Sequence, residues 1–159
     1  MPVLPALTGT FFAFLLLQAG TALAQVACSL QVPAMSFGTV DVLGGLPMDR
    51  TLGSIEITCS NAGSGETVLA LRTSVSSGAS GDDNRRRMTG PGGAVLEYNL
   101  FRDLGRTQLW RVGGDPALTL RVPANGQSIL LLTVFGRLYG PRDAAVGACQ
   151  DTLVTTVDF

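Results

Sequence analysis

Strict alternation of apolar and polar residues, repeated along the chain and broken each time by turn-forming residues, most narrows what this sequence can fold into. In "SIEITC", Ile55, Ile57 and Cys59 fall on one side and Ser54, Glu56 and Thr58 on the other. In "TVLALRTSV", Leu69, Leu71, Thr73 and Val75 oppose Val68, Ala70, Arg72 and Ser74. "AVLEYNLFR" groups Leu96, Tyr98 and Leu100, and "DTLVTTVDF" groups Leu153, Thr155, Val157 and Phe159. A two-residue period is that of a strand with one buried face. Nowhere is a helical period sustained over three turns. The breaks "DVLGGLPMD", "NAGSGE", "SSGASGDDN", "GPGG", "VGGDP" and "PANGQ" supply residues that tolerate the backbone angles of turns. Short strands joined in this way, in a chain of this length, predict an all-β antiparallel sandwich.

One stretch departs from the alternation. "SILLLTVFGRL" (Ser128–Leu138) is apolar on both faces, with Ile129, Leu131 and Phe135 on one and Leu130, Leu132, Val134 and Leu138 on the other. The pattern predicts a central strand covered on both sides. The competing reading is that one side lies under something the chain does not itself provide.

The residue inventory removes most chemistry. The chain has no His, and all eleven of its cationic residues are Arg. Ser–His–Asp, Cys–His, Ser–Lys and Schiff-base mechanisms are therefore excluded, as are His-containing zinc sites. Carboxylate catalysis is left, yet no feature groups the twelve Asp and Glu residues into a dyad. The reading is of a non-enzymatic protein without catalytic residues, metal, cofactor or small-molecule substrate. A formal net charge of −1 gives no electrostatic pull toward nucleic acid or anionic membranes.

Residues 1–24 carry no charged side chain, and "FFAFLLLQA" (Phe11–Ala19) is an apolar run of the length of a signal-peptide core, too short to span a bilayer. "Ala22-Leu23-Ala24" supplies the small-x-small pattern of signal peptidase. Residues 1–24 are thus expected to be a signal peptide, and residues 25–159 a single exported domain long enough to bury one core. Cys28 is a poor lipid-attachment site, because Gln25 stands where a lipoprotein signal places an aliphatic residue.

Read in order, the motifs resemble the spore coat protein U domain family, which includes pilins of the archaic, Csu-type chaperone–usher pathway. The resemblance covers essentially the whole of residues 28–159. It rests on an early Cys followed by "MSFG", then "GSIEITCS", the Arg-Met pair of "NRRRM", "LEYNLFRD" followed by Trp110, "VFGRLYG", and the terminal "VGACQDTLVTTVDF". It implies an incomplete immunoglobulin-like (pilin) sandwich that lacks one strand and is completed by a donor strand. The implied partners are a periplasmic pilus chaperone, an outer-membrane usher and neighbouring pilus subunits. The implied destination is the cell surface, reached through the periplasm, with roles in adhesion and biofilm formation. By the same resemblance Leu153, Val157 and Phe159 form one wall of the donor-strand groove, and Met35 and Phe37 the other. A different class of reading is a self-contained secreted spore-coat or matrix protein with a complete sandwich.

Three cysteines form at most one intramolecular bond. The resemblance pairs Cys28 with Cys59, closing a loop of about 32 residues that would contribute roughly 3–4 kcal/mol in the chain-entropy model. Cys149 departs from the family pattern. With no His or Lys to lower its pKa, it reads as a buried free thiol rather than a redox handle, although its presence leaves other pairings open. "GDDNRRRM" (Gly81–Met88) reads as a solvated loop with internally compensated charge, Trp110 as a core residue, and "LGGLPM" (Leu43–Met48) as an apolar loop of the kind that serves as an adhesive finger. Finally, cleavage after Ala24 leaves only "QVA" before Cys28. Three residues reach at most about 10 Å, too little for a donor strand. A subunit processed this way accepts a strand but does not give one, which places it at a fibre end or in a minor role.

Overall fold

The alternating segments become strands, and their apolar sides meet between two antiparallel sheets. The computed structural model describes residues 25–41, 47–113, 116–141 and 147–159. In chain order the strands are β1 (Val26–Gln31), β2 (Met48–Asn61), β3 (Thr67–Val75), β4 (Arg86–Thr89), β5 (Val95–Phe101), β6 (Leu118–Val122), β7 (Gly126–Pro141) and β8 (Thr155–Asp158). One sheet runs β1-β2-β7-β5-β4 and the other β6-β3-β8. Among the described residues the only helical turns are two of 3-10 type, each of three residues.

The central pair β2–β7 organises the larger sheet. Its register runs from Met48↔Leu138 to Asn61↔Gly126, with an irregularity between Thr51 and Gly53. That irregularity sets Leu52 over Gly136, where a Cβ would stand 2.6 Å from Leu52 Cδ1 and 2.8 Å from Phe37 Cε1. Gly136 is therefore favoured by close approach: a side chain there would have to displace the Leu52 and Phe37 side chains. β1 lies antiparallel to β2 with Cys28 directly opposite Cys59.

Ile55, Ile57 and Cys59 of β2, Leu71 and Val75 of β3, Tyr98 and Leu100 of β5, and Val134 and Leu138 of β7 form the buried core with Trp110 and Val122. Each of these strand residues lies on the side that its two-residue period assigns. Trp110 is a core residue, 1% exposed, and its indole N–H donates to the Phe101 carbonyl at 3.1 Å. The polar handle of the ring is thereby satisfied where it is buried.

Two expectations fail, each for a physical reason. β7 is central in its sheet but covered on one face only. Leu130, Leu132, Val134 and Leu138 turn inward, whereas Ile129 and Leu131 are 53% and 60% exposed on the outside. Farther along the same outer face Phe135 is half-buried, with the Arg106 guanidinium 6.0 Å from its ring centre. The "GDDNRRRM" segment is likewise only partly a solvated loop. Strand β4 pairs Arg86 with Tyr98, so the same alternation that turns Tyr98 inward turns Arg86 inward too, and it is fully buried.

Arg86 repays that burial with hydrogen bonds. Its Nε donates to the Ser76 carbonyl at 3.0 Å, Nη1 to that of Asp83 at 3.1 Å, and Nη2 to those of Val75 at 3.1 Å and Trp110 at 2.8 Å. One guanidinium thus ties the end of β3, the 81–85 turn and the segment carrying Trp110 together, a task that suits a planar fork of donors. Replacing Arg86 with Met leaves four carbonyls short of a donor. The expected loss is at least about 3 kcal/mol, whereas Arg121→Met, at an exposed pair with Glu66, changes stability by about 0.5 kcal/mol or less. Equilibrium urea unfolding of the two variants checks the contrast.

Candidate functional site

A five-stranded sheet faces a three-stranded one, so part of the larger sheet has no strand opposite it. The deficit lies beside β8, a four-residue strand at the edge of the smaller sheet. β8 pairs with β3 from Val75↔Thr155 to Arg72↔Asp158. No described strand pairs with its other side. After β1, residues 32–40 run on without joining either sheet, yet Met35, Phe37 and Val40 pack against the core.

Between that segment and the approach to β8 lies a groove of about 1170 Å³. Its floor is apolar: Leu52 and Ile55 from β2, Leu96 and Leu100 from β5, and Val134 from β7. Residues Val32 to Val40 line one side and Gly147 to Thr155 the other. Phe37 meets Tyr98 edge to face, with ring centres 5.9 Å apart and planes at 72°, a favourable aromatic arrangement. The groove therefore combines exposed apolar surface with a strand edge whose N–H and C=O groups have no partner strand. Those are the two ingredients from which an extended peptide gains burial and ladder bonds.

The groove turns polar where the chain approaches β8. There the Tyr98 hydroxyl donates to Asp151 Oδ2 at 2.7 Å, while Asp151 Oδ1 accepts the backbone N–H of Ala79 at 3.1 Å and of Thr152 at 2.9 Å. Burial first, and the bond to Asp151 second, hold the Tyr98 phenol above its ordinary pKa. Among the described residues, no group of three or more His, Cys, Asp and Glu is arranged to hold a metal ion.

The residues singled out by sequence fall as follows. Met35, Phe37 and Leu153 line the groove. Val157 packs on the core farther along β8 without lining it. Phe159 lies beyond the last paired residue, 59% exposed, and is not part of the lining. Cys28 and Cys59 form a disulfide. Cys149 is free and half-buried; it lines the groove, so close to Gly90 that a Cβ there would lie 2.6 Å from its sulfur. Residues 1–24 and most of the "LGGLPM" loop lie outside the described residues. Sequence reasoning missed the floor residues and the Tyr98–Asp151 pair. Floor positions carry the same alternation as any buried strand, and a 53-residue separation hides the pair.

A profile of the Spore Coat Protein U domain matches residues 13–156. The chain belongs to the Spore Coat Protein U domain family. This places it among structural proteins rather than enzymes. No curated protein matches the chain significantly. Among solved structures, it is similar to a chain in the crystal structure of the CsuC–CsuE chaperone–tip adhesion subunit pre-assembly complex from archaic chaperone–usher Csu pili of Acinetobacter baumannii. The identity is 22% and the TM-score 0.51, covering 84% of this chain and 40% of the other. The chain thus spans less than half of that neighbour's length, and at this identity the likeness speaks for the shared fold: an incomplete, all-β antiparallel sandwich.

With Cys28 and Cys59 bonded, the denatured, unreduced chain should react with one equivalent of a thiol reagent. Cys149→Ser should abolish that reaction, and prior reduction of the native sequence should raise it to three equivalents. Two equivalents from the unreduced Cys149→Ser variant would show that the Cys28–Cys59 bond does not form.

Proposed function

We propose that the chain is an exported subunit of a chaperone–usher pilus, assembled by donor-strand complementation. The observation that carries this reading is the open groove between Met35 and Phe37 on one side and Leu153 on the other, beside a β8 edge that no described strand pairs with. Val157, farther along β8, and Phe159, just past its end, lie outside the groove lining. A periplasmic chaperone strand fills the groove first, and the strand of a neighbouring subunit replaces it at the outer-membrane usher. Five inserted apolar side chains, at ~2 kcal/mol each, would contribute on the order of 10 kcal/mol. The structural likeness to a chain of a chaperone–subunit complex and the family membership support the same reading.

On this reading residues 1–24 are removed on export and the domain reaches the cell surface, where pili support adhesion and biofilm formation. The subunit takes a terminal or minor place in the fibre. Support comes from β1: Val26 is already paired with Asn61, and the Gln25 carbonyl accepts the Ala62 N–H at 2.7 Å. If cleavage follows Ala24, residues 25–31 at the new N-terminus are all engaged in the subunit's own sheet, and none of them is left over to enter a neighbour. The alternative, a self-contained coat protein, needs the groove to be closed by the chain itself, and no described residue closes it.

Expression in a periplasm separates the two. The pilus reading predicts that the chain produced alone aggregates or is degraded, and that a cognate chaperone recovers it as a one-to-one soluble complex. A monomeric, heat-resistant product without any chaperone would contradict it.

A further inference from the structure

The proposed groove is not uniformly apolar, and the exception has a definite chemistry. Of the described residues that line it, Asp151 alone carries a formal charge. It stands at the end of the groove where the chain approaches β8, against the buried Tyr98 and the 3-10 turn Gly78–Ser80. Two observations make this carboxylate fixed rather than incidental. It is held by three hydrogen bonds, two on Oδ1 and one on Oδ2. It also sits so tightly against Gly78 that a Cβ there would lie 2.1 Å from Oδ2, so the turn admits no side chain at this position without displacing the carboxylate.

The acceptor count leaves Asp151 incomplete. An ionised carboxylate offers about four acceptor positions, and three are used. Arg86, which feels the Asp151 charge, directs its guanidinium at backbone carbonyls instead. In the open groove, water can serve the remaining position. A strand laid over the groove displaces that water, and an unserved acceptor on a desolvated carboxylate is penalised more heavily than a neutral one.

We infer that Asp151 selects the inserted strand: the one side chain of that strand lying over it carries an O–H or N–H donor, while the other inward-facing positions are apolar. This rests on the donor-strand reading and adds a sequence requirement to it. The apolar positions of the strand provide affinity. The donor position fixes register, because a slip of two residues would set the hydroxyl against Leu96, Leu100 or Val134 and an apolar side chain against Asp151.

The test uses the full chain with a strand appended after Phe159 through a short turn, all inward positions being Val. A single Thr is then moved through those positions. Thr and Val share a shape and differ by a hydroxyl, so packing is held constant while hydrogen bonding varies. The expected result is one position at which Thr leaves the thermal midpoint equal to or above that of the all-Val strand. At every other inward position it should fall by about 3 °C or more. In a Tyr98→Phe, Asp151→Ala background the tolerant position should be lost. A Thr profile that is lower at every position, or a tolerant position that survives removal of Asp151, overturns the inference. If the double variant does not fold, the profile in the native background decides alone. An all-Val strand that fails to raise the midpoint above that of the unextended chain overturns the donor-strand reading itself, and this inference with it.

Discussion

Strands β1, β2, β7, β5 and β4 present a wider apolar inner face than β6, β3 and β8 can cover, and the uncovered part falls along the outer edge of β8. Everything distinctive in the structure follows from that mismatch. The segment after β1 leaves its sheet and lays Met35 and Phe37 along the rim, reducing the exposed surface without closing it. What remains is a groove with an apolar floor and an unpaired strand edge, the combination that ordinary sheet proteins avoid with charges, bulges or covering loops. Here it is kept, and a function of being joined to another chain gives a reason for keeping it.

Around the opening the sandwich is fastened by interactions that do not depend on its occupant. The Cys28–Cys59 bond joins β1 to β2 at directly opposed positions. Arg86 gathers four backbone carbonyls from three segments on the side of the groove where Tyr98 and Asp151 meet. The Leu52–Gly136–Phe37 contact sets the rim segment down on the sheet. These ties hold both walls in place with the groove empty, which would lower the ordering penalty for any strand inserted there. The exposed Ile129 and Leu131 lie on the opposite face of the larger sheet from the core and take no part in this arrangement.

The alternation in "SIEITC", "TVLALRTSV" and "AVLEYNLFR" was enough to identify the strands and their buried faces, because a half-buried strand writes its period into the sequence. It could not separate a groove wall from a core wall, since Leu153 and Leu71 obey the same rule whether or not a strand lies opposite. It misjudged β7, where apolar residues on both faces of a central strand suggested cover that only one face receives. Arg86 was misjudged as well, because charge outweighed position in reading "GDDNRRRM", while the structure follows position. The Tyr98–Asp151 pair was invisible for another reason: it joins residues brought together only by the fold.

The central claim is that the free edge of β8 is completed from outside. Backbone amide exchange over residues 153–159 tests it most directly, compared between the chain with an empty groove and the same chain with a complementing strand in place. Slow exchange should appear at those amides of this segment that point away from β3 only when the strand is present, while the amides already bonded to β3 and the β2–β7 pair remain protected in both states. Protection of residues 153–159 that is already full with the groove empty, or unchanged by the strand, would contradict the account.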